Sequence, residues 1–261
     1  MSVVSLLLMF GSCSRNTIDN ATLTGNVPNV QGLNASPKNK MNEQISSEKD
    51  PWSRDRLDMV EQQIRRRGIR DERVLDAMKR IPRHLFVPEN LHSQAYDDCP
   101  LPIGYHQTIS QPYIVALMTE LVKPQPSDRA LDIGTGCGYQ AAVLSELVKE
   151  VYSIEIVEPL AEQARSRLKR LGHHNVEVRF GDGYQGWPEK APFQIIVVAA
   201  APDHVPQPLL DQLALGGRLV IPVGSYSQEL VLIEKSLEGA LKRTRIAGVA
   251  FVPMTGTAEE K

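Results

Sequence analysis

From Arg129 to Val223, short apolar runs alternate with amphipathic stretches, and no other feature of the chain restricts its fold as tightly. The runs near 129–133, 151–155, 176–180, 194–199 and 218–223 have strand length, and the stretches between the earlier ones carry a helical period. Strands joined through helices pair in parallel, because each crossover lays its helix on a face of the sheet. The expected fold is therefore α/β, a doubly wound and mostly parallel sheet. Two further apolar runs, 230–234 and 246–252, follow with no long helix between them. They predict an antiparallel hairpin at the sheet edge and bring the strands to seven.

Upstream of the sheet, Asp50-Pro51 places a capping residue before a proline, and Leu57, Val60 and Ile64 mark one helical face. Gly68 ends that helix. A second follows from Asp71, with Val74, Leu75, Met78 and Ile81 apolar and Pro82 at its end, so the two form an N-terminal helical cap. Residues 86–107 carry prolines at 88, 100 and 102 and a glycine at 104, which reads as loop with short strands, and a further helix starts at Pro112.

The charge balance removes one class of partner. Lys+Arg 29 against Asp+Glu 31 leaves a net charge of −2, without the basic excess that phosphate-backbone binding needs, so nucleic acid is not an expected partner. Cys13, Cys99 and Cys137 are far apart and form no metal-ligand or disulfide pattern, and no metal site is expected. Residues 1–49 differ from the rest. Val3 to Phe10 is too short an apolar run to cross a bilayer, which takes about 20 residues, but long enough for the apolar part of a signal peptide. Phe10-Gly11-Ser12-Cys13 looks somewhat like a bacterial lipoprotein cleavage site, although only Met1 and Ser2 precede the apolar run. Residues 14–49, rich in Asn, Ser, Thr, Gly and Pro, read as a disordered extension with no catalytic role.

The chemistry concentrates at the end of the first parallel strand, where Asp132-Ile133-Gly134-Thr135-Gly136-Cys137-Gly138-Tyr139 runs into an alanine-rich helix. Strand, glycine loop and helix together form a nucleotide-type pocket. The spacing is G-x-G-x-G, and Tyr139 occupies the place where a pyrophosphate loop wants its last glycine. Glu155 closes the second strand 21 positions after Gly134, the interval at which an acidic residue reaches a ribose diol. Gly181-Asp182-Gly183 sets another carboxylate on the same edge after the third strand. Each has a plain structural explanation: a tight turn for the glycines, a solvated strand end for Glu155, an Asp-Gly turn for Asp182. Their succession, one strand apart, fits a nucleoside without phosphates and with a cationic end, and S-adenosylmethionine is the common cofactor of that kind.

Residues 52–256 resemble the protein-L-isoaspartate O-methyltransferase family. The segments that carry the resemblance are Arg83-His84-Leu85-Phe86-Val87-Pro88-Glu89, Leu101-Pro102-Ile103-Gly104, Gln107-Thr108-Ile109-Ser110-Gln111-Pro112, the glycine loop, Gly181-Asp182-Gly183, Ala200-Ala201-Pro202, residues 216–224 and Phe251-Val252-Pro253. The Gln107 to Pro112 segment is the distinctive one, since other class I methyltransferases share the cofactor loop and lack it. The chain departs from the family pattern at His106, where a glycine is usual, at Asp132 for Glu, at Cys137 for Ser and at Gln194 for Asp.

The resemblance implies a Rossmann-like methyltransferase sheet over residues 112–261, preceded by a helical cap and substrate loop over 50–111. It implies methyl transfer from S-adenosylmethionine to the free α-carboxylate of L-isoaspartyl residues in damaged proteins and peptides, which starts repair through a succinimide. Ser110 becomes the expected active-site residue, with Thr108 and Ile109 beside it on the substrate side; Ser110 also stands where it could cap the helix that starts at Pro112. Asp132, Gly134, Thr135, Gly136, Gly138, Glu155, Asp182 and Gly183 become the expected cofactor contacts. A carboxylate is already an anion at neutral pH and a sulfonium is already an electrophile, so the reaction needs neither a general base nor a metal. The alternatives are a class I methyltransferase of another substrate and a non-catalytic nucleoside-binding relative. A cytoplasmic monomer without stable membrane association is expected, the alternative being export or a lipid anchor at Cys13.

Overall fold

The computed structural model describes residues 50–259, and the readings made for 1–49, Cys13 included, lie outside the described residues. Asp50 organises the first turn. Its Oδ1 accepts from the Trp52 amide at 2.9 Å and its Oδ2 pairs with Arg56 at 2.8 Å. Helix α1 (Ser53–Asp58) continues through a π turn (Met59–Ile64) and a 3-10 turn (Arg65–Arg67) to Gly68. Helix α2 (Glu72–Arg80) is capped by Asp71, whose side chain accepts from the Arg73 amide, and buries Val74, Leu75, Ala77 and Met78 along one face.

Two 3-10 turns then lead to a small antiparallel hairpin, β1 (Leu101–Gly104) and β2 (Gln107–Ile109). Tyr105 and His106 form its tip with φ of 52° and 59°. Two successive left-handed residues are what a tight hairpin turn requires, and each non-glycine residue there costs about 1 kcal/mol. His106, in place of a glycine, therefore leaves the turn in shape at an energetic cost.

Helix α3 (Pro112–Leu121) precedes the main sheet. Its order is strand β3 (Arg129–Ile133), helix α4 (Tyr139–Ser145), β4 (Glu150–Glu155), α5 (Glu158–Arg170), β5 (Val176–Phe180), β6 (Phe193–Val198), α6 (Gln207–Gln212), β7 (Leu213–Val223), β8 (Gln228–Lys235) and β9 (Leu241–Val249). Among the described residues the seven strands lie in the order β5-β4-β3-β6-β7-β8-β9, parallel through β7 and antiparallel in the last two pairings. The chain leaves β3 toward β4 on one side and returns as β6 on the other. The carboxyl ends of β3 and β6 therefore flank a topological switch point, the place where open α/β sheets bind ligands.

Three strand boundaries differ from the sequence expectation by three residues or more. β7 starts at Leu213, five residues before the expected run, because a register shift against β6 between Phe193 and Ile195 absorbs the irregular start. β9 starts at Leu241 instead of 246, since Lys242, Arg243 and Arg245 lie on an exposed edge where charge hides the strand period and blocks further pairing. It also ends early, at Val249. Residues beyond it leave the sheet, and Ala201 bridges Pro253, with the Ala201 amide donating to Val252 O and the Met254 amide to Ala201 O, both at 2.9 Å.

The sheet has apolar clusters on both faces. One joins Met59, Val74, Met78 and Phe86 of the N-terminal region to Tyr139, Leu144 and Val197, so the helical cap and the sheet share a core. Each such side chain removed from water contributes about 1.5–3 kcal/mol. The other face packs Leu131, Ile133, Tyr184, Trp187, Leu209 and Met254.

Candidate active site

A cleft enclosing about 810 Å³ of non-protein space, partly open to solvent, opens at the switch point. The loop after β3, the ends of β4 and β6, the β2 strand with Ser110, and residues 252–255 all line it. Thr108, Ile109, Ser110, Gly134, Thr135, Gly136, Glu155 and Gly183 thus come together in one cavity, acceptor loop and glycine loop face to face.

The glycine loop is wired inward. The Gly134 and Thr135 amides both donate to Ile154 O (2.9 and 3.1 Å), the Gly138 amide to Thr135 O (2.8 Å), and the Gly136 amide to Glu155 Oε2 (2.6 Å). A phosphate loop needs those amides free for oxygen atoms of the ligand. Their internal use excludes phosphate cradling by these groups and fits a ligand that presents no phosphate. Gly136 adopts φ 53°, and a Cβ there would stand 3.2 Å from Ile103 Cδ1, so the loop touches the β1–β2 hairpin at this point.

Glu155 is 5% exposed, and its other oxygen accepts from the Val157 amide at 2.9 Å. Two amides fix the carboxylate, whose roughly four lone-pair sites leave room for two hydroxyl donors. Among the described residues it is the one charged side chain lining the cleft.

Three expected cofactor residues do not line it. Asp132 is fully buried beneath the loop, on the face of β3 opposite to Leu131 and Ile133. Its Oδ2 accepts from Ser153 Oγ at 2.7 Å, and Ser153 Oγ in turn meets Thr135 Oγ1 at 2.6 Å, so Asp132 supports the loop from behind. Its Oδ1 has no partner, and burial, with the Glu155 charge adding to it, pushes its carboxyl up to about 7 against the relief given by the Ser153 hydrogen bond. Gly138 starts α4 and faces α5, where a Cβ would stand 3.2 Å from Leu168. Asp182 is taken up by protein: Oδ1 accepts from the Tyr184 amide at 2.9 Å, and Oδ2 from the Thr257 amide at 3.0 Å and Thr257 Oγ1 at 2.5 Å.

On the acceptor side, Ser110 sits just before α3, whose N-cap is Gln111 without a side-chain cap. The capping alternative for Ser110 therefore has no hydrogen bond behind it. The Ser110 carbonyl accepts from Arg83 Nη2 at 2.8 Å. The sequence reading assigned no site role to Ala199 or to Val252, Pro253, Met254 and Thr255, which close one wall. The signal lay in Ala200-Ala201-Pro202 and Phe251-Val252-Pro253, which were visible as motifs, but their pairing spans some fifty residues and no local pattern announces it. Among the described residues no helix is long and apolar enough to cross a membrane.

The sequence profile of the protein-L-isoaspartate(D-aspartate) O-methyltransferase family matches residues 54–259. The chain belongs to this family. The protein-L-isoaspartate O-methyltransferase of a Synechococcus species is 56% identical over 213 residues, spanning 78% of this chain and 87% of that one. The Methanoculleus marisnigri enzyme of the same name is 56% identical over 210 residues, 80% and 95% of the two chains. Among solved structures, a protein-L-isoaspartate O-methyltransferase superposes with a TM-score of 0.70 at 31% identity, covering 77% of this chain and 67% of that one. A Plasmodium falciparum family member, in complex with S-adenosyl-L-homocysteine, superposes with 0.66 at 27% identity, covering 77% and 98%.

Proposed function

We propose that this protein transfers a methyl group from S-adenosylmethionine to the free α-carboxylate of L-isoaspartyl residues in proteins and peptides. The observation that carries the reading is the shared cavity: residues 107–110 and the glycine loop with Glu155 line one cleft, so an acceptor carboxylate and a nucleoside donor meet there. When bound, S-adenosylmethionine supplies a methyl group already activated as a sulfonium. The residues present fit it, with a loop that offers no phosphate cradle and a buried carboxylate held ready for a diol. Glu155 holds the ribose hydroxyls, and the backbone at Gly134, Gly136 and Gly183 gives the nucleoside its walls.

Ser110 Oγ donates to one oxygen of the acceptor carboxylate and leaves the other to attack, while Thr108 and Ile109 fix the flanking peptide. No base is required, because the acceptor has a pKa near 3.5 and arrives ionised. The contribution of the protein is alignment, bringing the reacting atoms to about 3–3.5 Å in line, together with exclusion of water by residues 252–255. The methyl ester turns the carboxylate into a better leaving group. The next backbone nitrogen attacks the ester carbonyl, methanol departs, and the succinimide opens by hydrolysis to normal aspartate or to isoaspartate again. The site works on a monomer in the cytoplasm, where S-adenosylmethionine is made.

The test is mass spectrometry of an isoaspartyl peptide incubated with the full chain and the donor. Ester, then succinimide, then aspartyl peptide in that order supports the assignment; an unmodified peptide overturns it.

A further inference from the structure

Arg83 is fully buried, 0% exposed, directly behind the acceptor wall of the cleft. Nε donates to Ala95 O and Nη2 to Ser110 O, both at 2.8 Å, and the guanidinium lies 4.9 Å from the ring centre of Tyr139. Ser110 and Tyr139 both line the cleft, so a single residue layer separates the cation from the cleft. Nη1 is buried with no hydrogen-bond partner, and among the described residues no carboxylate pairs with Arg83. The ionisable groups whose charge bears on it are Tyr139, Cys137, Cys99 and Tyr96, phenols and thiols that are neutral as a class near pH 7. Burial lowers the affinity of Arg83 for its proton, but a guanidinium stays protonated in proteins. Buried charges are normally paired, because an unpaired one is costly to keep from water. This one has two carbonyl acceptors and a ring face, but no internal counter-charge among the described residues.

The electrostatics of the cleft supply the missing half. Among the described residues its one charged lining side chain is Glu155, an anion, whereas the acceptor is itself an anion. The other cation near Ser110, Arg67, lines the adjoining groove, but it is paired with Asp98 at 2.8 Å and stacked on Tyr113 at 3.5 Å. We propose that Arg83 is a positioning residue that supplies the counter-charge for the substrate α-carboxylate, acting through the Ser110 peptide that it holds. The proposal rests on the reading that Ser110 meets that carboxylate. The bond to Ser110 O sets the position of the loop, and the unpaired charge makes the pocket select an ionised acceptor over a neutral one. At the effective dielectric of a protein interior, unit charges about 6–8 Å apart change an affinity by about tenfold or more.

The test compares the binding, to the chain saturated with S-adenosylhomocysteine so that no methyl transfer occurs, of two peptides that differ at one group: an isoaspartyl peptide and the same peptide with its α-carboxylate replaced by a carboxamide. In the wild-type chain the carboxylate form should bind at least about tenfold tighter, and the preference should survive about 1 M salt, where exposed charges are screened beyond about 3 Å. In Arg83→Met the preference should fall by about tenfold or more with S-adenosylhomocysteine affinity unchanged, and Arg83→Lys should retain most of it. Equal weakening of both peptides in Arg83→Met, ratio intact, would show a role in loop structure alone and overturn the proposal. A wild-type preference that vanishes in salt would assign the charge to exposed groups such as Arg67 and overturn it without need of a variant. If the wild type shows no preference at all and Ser110→Ala binds both peptides normally, the Ser110 reading fails first and the proposal with it.

Discussion

Replacing Glu155 by Gln tests the cofactor half of the site with nearly no change of shape. In the structure Oε2 accepts from the Gly136 amide at 2.6 Å and Oε1 from the Val157 amide at 2.9 Å. A carboxamide offers only one oxygen, so its NH2 must face one of these amides and leave a buried N–H without an acceptor. The cost is about 1–3 kcal/mol of stability. For a domain of this size that lowers Tm by about 2–4 °C per kcal/mol. The ribose hydroxyls also lose an ionised acceptor, worth about 1.5–3 kcal/mol, so the affinity for S-adenosylmethionine should fall by about tenfold or more. Isothermal titration calorimetry reads the affinity and differential scanning calorimetry reads Tm. A lower Tm with unchanged affinity would show that Glu155 only braces the loop, and the placement of the ribose would be wrong.

Two further outcomes follow from the geometry. The carboxyl of Asp132 is raised by burial, so it adds stability that is fully present below its unfolded pKa, near 3.8, and is lost as pH rises through about 7. The wild type should therefore lose about 1 kcal/mol more than Asp132→Asn between pH 6 and pH 8, read as a Tm difference that grows over that interval; a difference independent of pH would contradict the raised value. Ser110→Ala should reduce kcat/KM for an isoaspartyl peptide by about tenfold with Tm and cofactor affinity unchanged, since α3 has no side-chain cap to lose. A fall in Tm without a fall in turnover would restore the capping role.

The parallel half of the sheet was legible because β3, β4 and β6 are buried on both faces and read as short, largely apolar runs, with Gly134 directly after β3. The meeting of Ser110 with the glycine loop was legible only through motif resemblance, since periodicity says nothing of which loops converge. Depth was the main loss. Asp132 and Thr135 stand three residues apart, yet one lies beneath the loop and the other faces the cleft, a distinction set by strand alternation followed by a turn. The hydrogen bonds of Asp182 to Thr257 were not legible, because that partner lies 75 positions away. Arg83 enters the sequence only as the first residue of a motif, and only the packing of its 3-10 turn (Arg83–Phe86) shows that it is fully buried near the site. The edge strand β9 hid behind its own lysine and arginines.

The central claim is that the cleft selects an isoaspartyl acceptor for methylation. It is tested most directly by labelled methyl transfer from S-adenosylmethionine to two peptides of identical sequence, one with aspartate and the other with isoaspartate at a single position. Base-labile label is expected on the isoaspartyl peptide and little on its partner; equal label on both would rule out selection of an isoaspartyl acceptor.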